Sequence, residues 1–172
     1  KYNWELVFCE LYAGGKYENN DDDANYAFSL GLNGLGLCAT QYSSEYMDAE
    51  ILREGWKYIL HFEKGVNIGG LRKEPHAGKK SGTTVNWRPD RDVFTDIDVP
   101  LEWYQDMLKR QSIVNAGLTF ILTDEPSGET FEFRYENGIR DYILELAGDT
   151  ALTEPCLLSH VTQGRDRADK PE

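Results

Sequence analysis

Ala13-Gly14-Gly15-Lys16-Tyr17 and, after an acidic loop, Tyr26-Ala27-Phe28-Ser29-Leu30-Gly31-Leu32-Asn33-Gly34-Leu35-Gly36 are the stretches on which the reading of this chain turns. Two glycine clusters flank a lysine and a tyrosine. The second cluster runs into Leu37-Cys38-Ala39-Thr40, which has the composition of a buried helix start. Glycine just before a helix lets backbone N–H groups approach an anion, because no Cβ intervenes and the unpaired amides and helix dipole point outward. Phosphate is the guest such an arrangement fits. The plainer alternative is a loop with a helix start and no ligand, because short glycine motifs recur by chance.

Upstream, Glu5 to Leu11 reads as the last turns of a helix, with Leu6, Val7 and Leu11 at a helical interval and Gly14-Gly15 as its stop. Lys16 to Ser29 is polar, acidic and flanked by glycine, which predicts a mobile loop. Its Asp21-Asp22-Asp23 triplet lacks the alternating ligands and distal Glu of a calcium loop and reads as a solvated face. Downstream, a helix is expected from Leu32 to about Ser43, burying Leu35 and Ala39. Tyr46 to Arg53 and Trp56 to Glu63 read as strands joined by Glu54-Gly55, a two-residue hairpin. Val66 to Lys80, rich in Gly, Lys and Glu, is expected to be a partly ordered connection. Thr83 to Trp87 is the next strand, and Pro89 keeps it from extending within a sheet interior.

Pro100-Leu101-Glu102 opens a helix whose Trp103, Met107, Leu108 and Ile113 share one broad face, closed by Asn115-Ala116-Gly117. Strands Leu118 to Leu122 and Thr130 to Tyr135 flank a turn from Asp124 to Gly128. Gly138 then precedes a helix with Ile139, Tyr142, Ile143 and Leu146, stopped by Gly148. Helices interspersed with antiparallel hairpins predict an α+β two-layer sandwich, helices lying on one face of a mixed, largely antiparallel sheet.

The length, 172 residues, fits one domain, and 40% hydrophobic residues supply a core. No apolar run approaches a membrane span, so no membrane partner is expected. A net charge of −12 repels a phosphate backbone, so direct DNA binding by this piece is not expected. Cys9, Cys38 and Cys156 are odd in number, far apart and set among apolar neighbours, which predicts reduced cytoplasmic thiols. His61, His76 and His160 have no metal-ligand partner at helical spacing, and no metal residue is assigned. The chain begins at Lys1 without an initiator Met and ends on a charged run, so it is expected to be a piece of a longer polypeptide.

The two glycine stretches together resemble the ATP lid and glycine motif of the B subunits of DNA gyrase and topoisomerase IV, in the GHKL ATPase superfamily with its Bergerat fold. Leu30 and Asn33 depart from the usual GGLHGVG form. Ser81-Gly82-Thr83-Thr84-Val85 with Trp87-Arg88-Pro89-Asp90 resembles the family's TGT-x-V strand and its continuation. Gln111 to Gly117 is similar to its helix end, and Tyr135-Glu136-Asn137-Gly138-Ile139 to its strand-to-helix turn. The resemblance runs in consistent order along nearly the whole chain.

That resemblance implies the C-terminal portion of a GHKL ATPase domain over 1–152, including a lid at about 13–36, and over 153–172 a linker with the truncated start of a transducer domain. It implies ATP as ligand with Mg2+, and places Gly15 and Lys16 in the lid. Lys16 would face the γ-phosphate, and Tyr26 the adenine side. The backbone amides of Leu32, Asn33, Gly34, Leu35 and Gly36 would meet the β- and γ-phosphates, and Thr83 the adenine network. Arg53 corresponds approximately to an arginine at the pocket rim. Ala27 stands where many members carry a second lid lysine.

The family's water-activating Glu and magnesium-ligating Asn precede the lid and map to no residue here, so no catalytic residue is assigned and the chain alone is expected to be inactive. Implied partners are the A subunit, a second B subunit, and DNA through other domains, in the cytoplasm. Implied too is ATP-driven dimerisation that gates DNA strand passage. The alternative is a degenerate, nucleotide-free interaction or dimerisation module.

Overall fold

Glu54 and Gly55 turn the backbone with φ of 53° and 78° in the structure, a computed structural model that describes residues 2–13, 34–156 and 158. Two successive left-handed residues make the turn whose twist matches that of paired strands. It joins β1, Ser44–Arg53, to β2, Trp56–Glu63, in a register that runs from Arg53↔Trp56 to Tyr46↔Glu63. The expected hairpin is therefore present, with β1 two residues longer at its start.

The described residues fall into two compact units divided between Asp98 and Val99. In the first unit, β1 pairs on its other side with β5, Gly82–Pro89, which ends at the proline as its missing N–H requires. Residues 66–80, expected to be only partly ordered, instead supply two short strands along the outer edge of β2. These are β3, Val66–Asn67, and β4, Arg72–Pro75. Their composition hides them, because an edge strand needs only backbone pairing and not an apolar face. The Lys64-Gly65 turn into β3 has φ of 44° and 86°. A Cβ on Gly65 would lie 2.7 Å from the Tyr42 ring, so only glycine fits both the conformation and the contact.

Alternation along β1 and β2 builds the core. Met47 faces Phe62 and Ala49 faces Leu60 across the pair, and all four are buried under Phe8 of α1, Asn3–Cys9. Phe8 stacks on Phe62 with ring centroids 5.5 Å apart, and Trp4, one helical turn earlier, lies 6.4 Å from the same ring. The opposite sheet face is polar. There His61 sits 2.7 Å from Asp48 and 3.2 Å from Glu63, and Lys57 pairs with Glu50.

The second helix, α2, spans Gly36–Tyr42 rather than Leu32 to Ser43; residues 32 and 33 lie outside those described. It buries Cys38 and Gln41, while Leu35 is half-buried and Ala39 exposed. The apolar residues chosen from the sequence lie off the packed face because that face is set by contact with α1 and β1 and includes a polar Gln. The loop expected over Lys16 to Ser29 lies outside the described residues, as does most of the tail over 153–172.

In the second unit, α3, Leu101–Val114, packs on an antiparallel hairpin of β6, Phe120–Asp124, and β7, Glu129–Phe133. Ile113 is buried and Met107 and Leu108 half-buried as expected, but Trp103 is 56% exposed, so the packed stripe is narrower than the apolar one. The final helix, α4, Ile139–Ala147, ends at Gly148, whose φ of 49° with ψ of −141° is a conformation essentially only glycine adopts. Gly138 starts it with φ 56°, and a Cβ there would stand 2.8 Å from the Ile113 carbonyl oxygen. Lys109 of α3 and the Tyr135 hydroxyl both reach Glu145 of α4, at 2.7 and 2.5 Å.

Candidate functional site

The register of three strands gathers the site. Ile51 of β1 pairs with Tyr58 of β2 on one side and with Thr83 of β5 on the other, so the three side chains share the face that carries the core. Arg53, two residues beyond Ile51, projects from that same face beside the hairpin turn. Over this end of the sheet lies the start of α1. Together they border an open cavity of about 530 Å3 lined by Tyr2, Asn3, Trp4, Ile51, Arg53, Glu54, Tyr58 and Leu71. Its size and its mix of aromatic walls with few charges suit a planar heterocycle.

The charged groups at the rim largely cancel. The Arg53 Nε lies 3.0 Å from Glu54, with both side chains more than 70% exposed, so the pair holds little energy against solvent. A second cavity of about 390 Å3 adjoins through Tyr2, Trp4 and Leu71 and adds Glu5 and Gly70. Cys9 and Cys38 do not offer reactive groups, because burial first of all pushes both thiols up, and Cys9 is raised further by nearby Cys38 and Glu5. Cys9, Cys38 and Cys156 are free.

The second glycine motif reaches the described residues only at its end. Gly34 has φ 61°, and Leu35 precedes α2 without a side-chain cap. Among the described residues a Cβ added to Gly36 would meet nothing within 4 Å, so none of them requires a glycine there.

Of the residues singled out from the sequence for the site, Gly34, Leu35, Gly36, Arg53 and Thr83 are described, the first three at the start of α2, Arg53 at the end of β1 and Thr83 on β5. Gly15, Lys16, Tyr26, Leu32 and Asn33 lie outside the described residues. The structure joins Thr83 with Ile51, and adds Tyr2, Trp4, Tyr58 and Leu71 to the neighbourhood of Arg53. These four carried no motif. Only Tyr58 had a signal, the alternation along β2; Tyr2 and Trp4 at the start of α1 and Leu71 just before β4 join it through tertiary packing. Among the described residues no group of three or more His, Cys, Asp or Glu could hold a metal ion, and no helix is long and apolar enough to cross a membrane.

No family model matches the chain. It is 34% identical over 146 residues to the B subunit of DNA gyrase from Spiroplasma citri, covering 83% of this chain and 22% of that protein. With the B subunit of DNA topoisomerase 4 from Streptococcus pneumoniae it shares 33% identity over 155 residues, covering 89% of this chain and 23% of the relative. Among solved structures it is similar to the 43K ATPase domain of Thermus thermophilus gyrase B in complex with an aminocoumarin, at TM-score 0.63 and 26% identity, over 67% of this chain and 32% of that one. It is similar too to the topoisomerase IV ATP-binding domain of Francisella tularensis in complex with a small-molecule inhibitor, at TM-score 0.64 and 26% identity, over 78% and 37%. The chain spans about a fifth of the length of the curated relatives it matches.

Proposed function

We propose a function from one premise: the chain belongs to the family of DNA gyrase and topoisomerase IV B subunits and has the α+β fold of their GHKL ATPase domains. It is the C-terminal portion of such a domain, over 1–152, with a linker and the start of a transducer after it, and it contributes one side of an ATP site. The observation that carries this reading is the register that sets Thr83 beside Ile51, on the face shared with Arg53 and the 530 Å3 cavity. Thr83 hydrogen-bonds on the adenine side, with Arg53 at the rim and Tyr26 contacting the base from the lid.

The glycines of the second motif let the amides of Leu32 to Gly36 approach the β- and γ-phosphates, and the absence of any described neighbour within 4 Å of a Cβ at Gly36 is consistent with that role. Gly15 and Lys16 close from the lid, the lysine as a point charge toward the γ-phosphate. Magnesium, when bound with ATP, would supply charge neutralisation, held by an Asn that in the family precedes the lid and maps to no residue of this chain. Since hydrolysis needs an oriented base and a positioned metal, the chain alone hydrolyses ATP negligibly. A steady-state phosphate-release rate matching an intact B subunit would overturn that.

In the whole protein, in the cytoplasm, ATP closes the lid and favours pairing with a second B subunit. With the A subunit and DNA held by other domains, this gates strand passage. Ala27, Leu30 and Asn33 favour a second reading, a nucleotide-free dimerisation module. Calorimetric titration of the full-length protein separates the two. Lys16→Ala should weaken a non-hydrolysable ATP analogue by about 1.5–3 kcal/mol and ADP far less, whereas Thr83→Ala should cost both nucleotides about 0.5–1.5 kcal/mol. No nucleotide binding by the unaltered protein would favour the module, and equal losses for Lys16→Ala with both ligands would remove its γ-phosphate role.

A further inference from the structure

The nine residues Arg72-Lys73-Glu74-Pro75-His76-Ala77-Gly78-Lys79-Lys80 carry four cations against one anion, in a chain whose net charge is −12. They occupy one place in the fold. β4 is the outer strand beside β2, with Pro75 opposite Trp56 and Arg72 opposite Ile59. The His76 amide then donates to the Gly55 carbonyl at 2.8 Å, and the chain crosses the end of the β1–β2 hairpin to enter β5 at Gly82, opposite Leu52. Residues 72–80 therefore edge the sheet and then wrap its turn end.

Glu74, the acid within the strip, is exposed and makes no ion pair among the described residues, while two acids of the neighbouring strands and turn are engaged by cations outside the strip. Glu54 pairs with Arg53 and Glu50 with Lys57. Arg72, Lys79 and Lys80 are exposed and make no ion pair among the described residues. Lys73 lies over the Trp56 ring, 4.0 Å from its centroid, a contact that orients the ammonium without neutralising it. The overall negative charge does not cancel the strip, because exposed charges more than about 8–10 Å away are largely screened at physiological salt.

We infer that the strip of Arg72, Lys73, Lys79 and Lys80 on β4 and the following crossover is a contact surface for the phosphate backbone of duplex DNA. The choice of DNA over another polyanion rests on the topoisomerase reading above. Flexible lysines and an exposed arginine suit backbone contact without base readout. This is a local exception to the expectation from net charge, and it makes the strip a guide for DNA that other domains hold.

Anisotropy of a labelled duplex of about 20 base pairs, titrated with the 172-residue chain across a salt series, tests it. The triple variant R72Q/K79Q/K80Q should bind at least about tenfold more weakly at low salt, with a log–log salt slope shallower by roughly 2–3. The control R91Q/R110Q/R140Q removes the same charge from exposed positions elsewhere and should stay within about twofold of the unaltered chain. Equal weakening in both triples, or no binding by the unaltered chain at low salt, would overturn the inference. Unlabelled duplex should displace the labelled one far better than polyglutamate at equal charge; competition by polyglutamate as effective as DNA itself would reassign the strip to an acidic protein partner. Failure of nucleotide binding in the calorimetric test would strike the ATPase reading alone, since the salt slope is read without nucleotide.

Discussion

In the first unit Phe8, Met47, Ala49, Leu60 and Phe62 are each no more than 4% exposed, whereas in the second the one described hydrophobic side chain approaching that cover is Ile113, at 8%. The difference follows from strand length. β1 and β2 are ten and eight residues long, enough to give several inward positions a helix can cover. β6 and β7 have five residues each, and a two-stranded hairpin is marginal by itself. Phe120, Leu122, Phe131 and Phe133 face α3 but are only half-buried.

The second unit leans on backbone geometry and polar ties instead. Gly138 lets α4 begin against α3, Asp141 accepts from the Asn137 amide at 2.7 Å, and Glu145 joins Lys109 to Tyr135. Those ties hold the Asp141 and Glu145 carboxyls below their ordinary values, through hydrogen bonds from Asn137 and from Lys109 respectively. Their contribution is present at neutral pH and is lost as pH falls through the lowered values. Side-chain burial thus organises one unit, and conformational constraint the other.

Phe62→Ala should break the contrast hardest, costing about 3–5 kcal/mol by opening a cavity beneath Phe8 and Trp4. Denaturant unfolding with hydrogen exchange read by peptide should place the loss of protection in 44–63. Equal loss across 101–147 would mean that the two units do not differ as described. Gly138→Ala comes next. Its backbone strain alone is worth roughly 1–3 kcal/mol, and the contact with the Ile113 carbonyl adds to it, so exchange should rise in α3 and α4 first. A variant as stable as the parent would show that the second unit does not depend on this glycine.

Smaller, and opposite in sign, is the effect expected at Gln41. It is 1% exposed, and neither amide atom has a hydrogen-bond partner among the described residues. Gln41→Met keeps the volume and removes both polar atoms, and should stabilise by about 1 kcal/mol in thermal or denaturant unfolding. Destabilisation would reveal that the amide is satisfied in solution.

The least effect belongs to His61 on the polar sheet face. Hydrogen bonds to Asp48 and then Glu63 raise its pKa above the ordinary 6.5. Its stabilising contribution is therefore complete below that value and disappears as pH rises through the raised one. Exposed pairs of this kind are worth at most about 1 kcal/mol. Denaturation midpoints followed from about pH 5.5 to about pH 9, a span that brackets the ordinary value, should flatten in His61→Gln relative to the parent. Identical profiles would remove the histidine from the account.

Much of the architecture was legible without coordinates. Glu54-Gly55 announced its hairpin, Pro89 the end of β5, Pro100 the start of α3 and Gly148 the stop of α4, because each of these signals acts within a few residues on φ, ψ or a single hydrogen bond. Even the order of elements follows from such local preferences. The site was legible only in part: Thr83 stood out by resemblance, and Gly34 to Gly36 by composition.

The neighbours of Thr83 were not legible, because β1 and β5 meet across roughly thirty residues of intervening chain and register at that distance is settled by which faces pack, not by any one residue. For the same reason α2 turned Cys38 and Gln41 inward instead of Leu35 and Ala39, Trp103 stayed outside, and residues 66–80 became edge strands. Local stereochemistry, written in adjacent residues, chose the elements; burial, which depends on surfaces brought together from far apart in the chain, chose their faces, their partners and the walls of the cavity.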